Sequence, residues 1–318
     1  SDYQAQRRGG TGRSATAVKD EDFVEHLLIA STHATILCFS DLGKVYWLKV
    51  FHIPLASRNA RGRPMVNLLP LDEGERITSI LPVEGYEEGH FIFMATARGI
   101  VKKTDMQQFA RQRSVGLQAL ELEADAWLVG TAVTDGSCDV MLLSSEGKAV
   151  RFQEQAVRAM GRTARGVRGI KLGDEHRLIS LIVPQADSTI LTVSEKGYGK
   201  RTDTAEFPCK GRGTKGVIAM ATNAKNGPLV GAVQVSASDE IMLISDQGTA
   251  VRTRVEEIST LGRNTQGVRV IKTRDDEKLV RLSRIAEDDG AVLDEDLAES
   301  VDSPESEVSA ANGDTGES

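Results

Sequence analysis

The stretch QRRGGTG, Gln6 to Gly12, sets Arg7 and Arg8 against Gly9, Gly10 and Gly12, and Arg13 follows at once. These residue types suit one chemistry, the holding of phosphate. A guanidinium offers a rigid fork that matches two anionic oxygens. Successive backbone N–H groups in a turn form an anion-binding concavity, and glycine lets the anion approach closely. Related segments recur along the chain, each with cations beside glycine. They carry Arg58, Arg61 and Arg63; Arg111 and Arg113; Arg158, Arg162, Arg165 and Arg168; Lys210, Arg212 and Lys215; and Arg263 and Arg269. Almost no acidic residue interrupts them. Six such segments in register point to a belt of cations, because ordinary surface charge mixes signs.

A second series holds Lys103, Arg151, Arg201 and Arg252, with Lys102 and Lys200 beside two of them. Each of the four lies four residues past a glycine, and strand alternation puts that position on one face throughout. If that face is the rim, the series widens the belt. Bond-breaking chemistry finds no comparable support. The histidines, His26, His33, His52, His90 and His176, do not recur in register or show metal-ligand spacing, and read as surface or strand residues. The three cysteines, Cys38, Cys138 and Cys209, fit neither a disulfide framework nor a zinc site and read as buried thiols. No catalytic residue, metal or cofactor is expected.

The elements that position the cations follow from the glycines. CFSDLGKVYW, MATARGIVKK, LLSSEGKAVR, TVSEKGYGKR and LISDQGTAVR share apolar residues, Ser or Thr, two free positions, and Gly. This is a hairpin signature with a type I turn and a left-handed glycine. The turn glycines, Gly43, Gly99, Gly147, Gly197 and Gly248, lie 56, 48, 50 and 51 residues apart. A second glycine follows each by 19, 17, 19, 19 and 19 residues, at Gly62, Gly116, Gly166, Gly216 and Gly267. Gly12 stands 50 residues before Gly62 and belongs to a further repeat whose hairpin would precede Ser1.

Each repeat reads as four strands, in the first complete one roughly 35–40, 44–50, 64–69 and 76–83, with helical periodicity confined to short stretches such as 107–112. Four-stranded sheets need neighbours to cover both faces. The expected fold is all-β, a propeller-like ring or shallow spiral of five complete blades and one N-terminally truncated blade. Residues 1–31 form the remnant of the first blade, 32–285 the complete blades, and 286–318 a tail.

That tail explains a misleading net charge. The chain carries −7 over 318 residues, yet 286–318 holds twelve acidic residues and no Lys or Arg, which leaves the body at +5. With few large apolar groups the tail cannot offset its ordering entropy, so it is expected to be disordered and to compete with anionic ligands for the cationic belt. There is no run of 18 apolar residues for a membrane-spanning helix, and no leader peptide is expected at Ser1. The chain reads as a piece of a longer cytoplasmic polypeptide.

A cationic belt around a disc suits double-stranded DNA bent along the outside. The sequence has no recognition helix, zinc-finger spacing or aromatic platform, so contacts should be to the backbone with little sequence readout. Turning about 40 base pairs through half a circle costs on the order of 10 kcal/mol, which several loops must offset together. A protein-interaction propeller of the WD type would show GH and WD dipeptides, and a propeller enzyme would need converging carboxylates or histidines.

QRRGGTG resembles the signature box of the DNA gyrase A protein of bacteria, a type IIA topoisomerase component. The run from Asp22 through Leu71 looks like the same C-terminal domain, and the likeness extends to about residue 285. The usual box has Lys where this chain has Thr11. The resemblance implies a β-pinwheel, in which blades exchange a strand, and a DNA wrap that presents one segment for passage, so that ATP-dependent negative supercoiling follows. It further implies that the breaking tyrosine lies upstream and that ATP and Mg act elsewhere in the parent complex. The implied partners are DNA, the rest of gyrase A and, through it, gyrase B in a heterotetramer. A nucleoid-associated location in bacterial cytoplasm follows. The corresponding domain of topoisomerase IV lacks the box and is the nearest alternative.

Overall fold

The computed structural model describes residues 30–53, 67–274 and 276–285, together with the backbone of Arg13–Ser14. The tail 286–318 and most of 1–31 lie outside the described residues, as does the box from Gln6 to Gly12.

Five hairpins form where the glycines place them. They are β2 and β3 (Thr35–Ser40, Lys44–Lys49), β5 and β6 (Phe91–Thr96, Ile100–Asp105), and β9 and β10 (Asp139–Ser144, Lys148–Gln153), followed by β13 and β14 (Thr189–Ser194, Tyr198–Asp203) and β17 and β18 (Glu240–Ser245, Thr249–Arg254). Their turn glycines all take positive φ, between 75° and 81°. Each closes its turn with an N–H donated to the Ser or Thr carbonyl three residues back, as Gly43 does to Ser40 at 3.0 Å. In four of the five, that Ser or Thr hydroxyl also accepts the N–H just past the glycine, as Ser245 does from Thr249 at 3.0 Å.

A further strand then pairs with the first strand of each hairpin: β4 (Ile77–Val83), β8 (Leu128–Thr134), β12 (Leu178–Ile182), β16 (Leu229–Val235) and β20 (Leu279–Ile285). These five strands pack on one another in succession and line the inside of the assembly.

The remaining strand of each sheet is traded. β7 (Leu117–Gln118), β11 (Val167–Arg168), β15 (Val217–Ile218) and β19 (Val268–Arg269) are two residues long. Each pairs with the hairpin of the preceding repeat, β7 on β3, β11 on β6, β15 on β10 and β19 on β14. The truncated repeat follows the same rule across the whole chain. Its β1 (Arg13–Ser14) lies on β18, with Arg13 opposite Ala250 and Ser14 opposite Thr249. The result is a propeller-like ring of five four-stranded antiparallel blades, I to V, named from their hairpins in chain order.

Of the third strand expected over 64–69, only part can be compared with the structure. Residues 64–66 lie outside the described set, and 67–69 form no strand. The short helical stretch foreseen over 107–112 is a 3-10 turn over Met106–Phe109, capped by the Asp105 carboxylate accepting from Gln107 N–H at 2.9 Å.

The core runs in seams between blades. Leu37 and Phe39 of blade I meet Ile92 and Met94 of blade II, and Phe93 of blade II meets Leu142 and Phe152 of blade III. Met141 and Leu143 pack toward Ile190, and Leu191 toward Ile241 and Leu243. The central strands therefore bury both faces, which is why they read as continuous apolar runs. Blade I's other face, Ile36, Cys38 and Tyr46, is covered by Leu68, Leu69 and Leu71.

Only one cysteine is a buried thiol. Cys38 is buried and desolvation pushes it up to about 12, but Cys138 is half-buried and Cys209 exposed. The reading of all three as buried is corrected by the position of Cys138 and Cys209 at strand and loop ends rather than mid-strand.

Candidate nucleic-acid interface

The traded strand is the outermost of each sheet, so the loop that leads into it runs along the outer edge of the blade. These are the loops with the arginines. Arg111, Arg113, Arg158, Arg165, Arg168, Lys210, Lys215 and Arg269 are exposed, and Arg162, Arg212 and Arg263 are half-buried. The half-buried three share a register, each four residues before its second glycine. They also share a contact. Arg162 donates from Nη1 to the Gln118 carbonyl at 3.3 Å, Arg212 to that of Arg168 at 3.0 Å, and Arg263 to that of Ile218 at 3.0 Å. Each carbonyl belongs to the second residue of the traded strand one blade earlier. One guanidinium edge thus ties every loop to the loop before it, from blade I to blade IV. Arg8 and Arg58 stand at the same register.

Two further cations in these loops have partners. Arg165 pairs with Glu121 at 2.5 Å in the open, where an ion pair is worth little and a phosphate can compete for it. The arginine holds the Glu121 carboxyl below its ordinary value. Arg269 lies 5.0 Å above the Tyr198 ring and donates to its hydroxyl at 2.9 Å, which fixes the guanidinium plane at the edge of blade IV.

The second series does not widen this track. Lys103, Arg151, Arg201 and Arg252 all turn inward, and their donors are taken inside the protein. Lys103 is buried, donates to the Glu154 carbonyl at 3.2 Å, pairs with the Glu154 carboxylate at 3.4 Å and lies 4.7 Å over the Phe91 ring. Arg151 binds Asp139 at 2.8 Å and the carbonyls of Thr204 and Phe207 at 3.1 and 3.3 Å. Arg201 donates to the Ile258 carbonyl at 2.7 Å, and Arg252 pairs with Glu240. For Lys103, Arg151 and Arg201 the acceptor is the 3-10 turn of the following blade. Lys103, Arg151 and Arg201 form a clasp between blades, so for these three the rim expectation is corrected and the face that alternation gives them is the seam; Arg252 instead pairs with Glu240 of its own hairpin.

Lys102 and Lys200 are more deeply placed, both with no exposed surface. Lys102 Nζ donates to the carbonyls of Ala119, at 2.6 Å, and Arg162. Lys200 Nζ donates to those of Gly262, at 2.6 Å, and Arg263, and to the Thr265 hydroxyl at 3.1 Å. Among the described residues neither has a carboxylate in contact. Burial and then the Arg162 guanidinium push Lys102 down to about 7. Burial brings Lys200 to about 8, opposed by Glu206 and reinforced by Arg263. Their equivalents in blades I, III and V are Tyr46, Val150 and Val251, so nothing in the repeat demands a lysine there.

Gln6, Arg7, Arg8, Gly9, Gly10, Gly12, Arg58, Arg61 and Arg63 lie outside the described residues, and of Arg13 only the backbone is described. Oxygen and sulfur donors of Asp135, Cys138 and Glu154 come within 4.8 Å of one another. Glu154 there accepts from Thr134, the Cys138 N–H and Lys103, so its oxygens serve the fold. The loop-to-loop contact escapes a reading of the sequence, although its signal, Arg at a fixed distance before glycine, is present in four complete repeats.

Blades that exchange their outer strand and carry arginine loops on that edge define a β-pinwheel with a cationic rim. The chain belongs to the DNA gyrase C-terminal domain, beta-propeller, family, whose model matches residues 1–31, 34–84, 90–135, 139–185, 188–236 and 239–286, one segment per repeat. The DNA gyrase A protein of Salmonella typhimurium is 56% identical over 313 residues, 95% of this chain and 36% of that protein. That of Pseudomonas aeruginosa is 53% identical over 347 residues, 96% of this chain and 38% of that protein. The chain thus spans little more than a third of the length of these relatives. Two solved structures share the fold. A DNA gyrase A C-terminal domain aligns over 89% of this chain and 93% of its own at 26% identity, TM-score 0.77. The C-terminal domain of a DNA topoisomerase IV covers 86% and 85% at 25% identity, TM-score 0.75.

Proposed function

We propose that this domain binds duplex DNA along the outer edge of its blades and bends it, largely without sequence readout. In the parent protein it presents a DNA segment for passage, as part of ATP-dependent negative supercoiling by a topoisomerase built from gyrase A and gyrase B. The observation that carries this reading is the continuous outer track, in which Arg162, Arg212 and Arg263 each join one cationic loop to the last. Such a track spreads charge over consecutive blades, which is what offsetting a bend requires. The cations available to it are Arg111, Arg113, Arg162, Arg165, Arg168, Lys210, Arg212, Lys215, Arg263 and Arg269, with those of the box and of 58–63. Lys102, Lys103, Lys200, Arg151, Arg201 and Arg252 act from inside.

Two measurements test this. Affinity for a random-sequence duplex should fall with salt with a log–log slope near −7, the value for about eight phosphates. Relaxed circles closed by a nicking-closing enzyme should change linking number in the presence of the domain. A flat salt dependence with unchanged topology would overturn the reading. The fold alone suits a topoisomerase IV domain equally well. Deletion of the box separates the two, since only a box-dependent wrap loses its linking-number change.

A further inference from the structure

Lys102 donates to two main-chain carbonyls of the rim loops, and Lys200 to two carbonyls and one hydroxyl, and this has a geometric result. In a planar trans peptide the carbonyl of one residue and the N–H of the next point in opposite directions. The Arg162 carbonyl is drawn inward by Lys102, so the Thr163 N–H is turned outward. The Arg263 carbonyl is drawn inward by Lys200, so the Asn264 N–H is turned outward likewise. Thr163 and Asn264 are both exposed. Neither N–H meets an acceptor within the described residues. Each stands next to a half-buried arginine of the track. A desolvated ammonium behind the peptide also aligns its dipole with the positive end toward solvent.

We infer that Thr163 N–H and Asn264 N–H are phosphate-binding groups, held outward by the buried ammonium groups of Lys102 and Lys200, which act as positioning residues. The inference rests on the DNA track proposed above and names two points on it where the main chain itself grips a phosphodiester oxygen. They fall on blades II and IV, so a duplex following the rim meets a backbone grip at alternate blades. Between them, Val150 leaves the blade III loop without one. The charged groups that face the two lysines are Arg162 for Lys102, and Glu206 and Arg263 for Lys200. The arginines oppose protonation, and an arriving phosphate favours it. Binding therefore draws protons onto the lysines, and affinity falls as pH rises through the range from 7 to 8.

The test uses the whole chain, isotopically labelled, with a random duplex of about 40 base pairs as the probe, the length of the bend considered above. In the unaltered chain the amide resonances of Thr163 and Asn264 should move downfield on DNA addition. In the Lys102→Met, Lys200→Met double variant those two shifts should vanish, while amides around Arg111, Arg113 and Lys215 still respond. Affinity of the unaltered chain should drop several-fold between about pH 6.5 and 8.5 at fixed salt, and the double variant should show no such drop. If DNA moves no rim-loop resonance, the track reading fails. If DNA moves the loops but leaves Thr163 and Asn264 unmoved, or if the double variant keeps their shifts and the pH dependence, the backbone grip fails. A circular dichroism melt keeps a folding defect separate. Should the double variant not fold, the pH series on the unaltered chain decides, and a flat profile rejects the inference.

Discussion

A lysine buried without a carboxylate is a liability for folding, and its pH signature has a definite sign. Lys102 titrates near 7 in the folded chain and near the ordinary lysine value once unfolded. Between those values the unfolded chain holds more protons, so stability should rise as pH rises from about 7 toward 10. DNA affinity should move the opposite way. Lys102→Met should therefore keep or raise the midpoint of urea unfolding at about pH 7, since replacing a buried charge by an apolar group of similar volume is often neutral or stabilising. A loss of more than about 2 kcal/mol would show the ammonium to be holding the fold rather than the loop. The cysteines give a second prediction at this scale. Exposed Cys209 should be alkylated by iodoacetamide at about pH 8, and Cys38, pushed up to about 12 by burial, only after denaturant is added. Equal rates for the two would contradict the burial described. Of these burial states only that of Cys38 was legible from residue type. Lys102 lies in IVKKT, where polar letters suggest a solvated strand, yet Val101, Lys102, Lys103 and Thr104 are all buried because blades cover both faces.

At the scale of the element, the glycines carried the most information. The hairpin turns follow from Ser or Thr plus Gly at a fixed interval, a local rule that tertiary packing does not override. The second glycines also let loop and hairpin approach closely, as do four of the five turn glycines, Gly248 being the exception. Gly216 has φ +76°, and a methyl group on it would sit 2.2 Å from the Ala149 carbonyl of the neighbouring hairpin. Gly248 has φ +78° with open space around it. Gly216→Ala should therefore cost about 3 kcal/mol, strain plus steric overlap. Gly248→Ala should cost about 1 kcal/mol, strain alone. Urea unfolding of the two variants checks the order, and equal losses would show that the close approach of loop to hairpin is not what the second glycine serves. A strand directly after each second glycine is legible, and the resemblance implies that blades trade one, but the residues themselves do not show which hairpin takes it. Two residues such as Leu117 and Gln118 show no alternation, and their partners, Val45 and Lys44, lie a full repeat and more before them. Nothing local distinguishes pairing with the previous hairpin from pairing within the repeat.

Over the whole molecule, the repeat count and the cationic loops were legible, because both are periodic. The depth of each cation was not, because a strand's alternation says which residues share a face and is silent on whether that face is rim or seam. Closure of the ring yields a prediction here. If β1 completes blade V, removing residues 1–14 bares one edge of β18. Amides of Thr249–Arg254 should then exchange roughly tenfold faster or more, while those of Ile100–Asp105 in blade II keep their protection. Unchanged exchange in β18 would detach the first strand from the last blade.

The trading of strands also sets a timetable for synthesis. No sheet can be finished when its own hairpin leaves the ribosome, since its outer member arrives only after the following hairpin has been made. Blade V reverses the order. Ser14 is made long before its partner Thr249, and it must wait unpaired until nearly the whole domain has emerged. Assembly proceeds with every unit one step incomplete, and the contact that joins the two ends of the domain must wait for the last hairpin to be made.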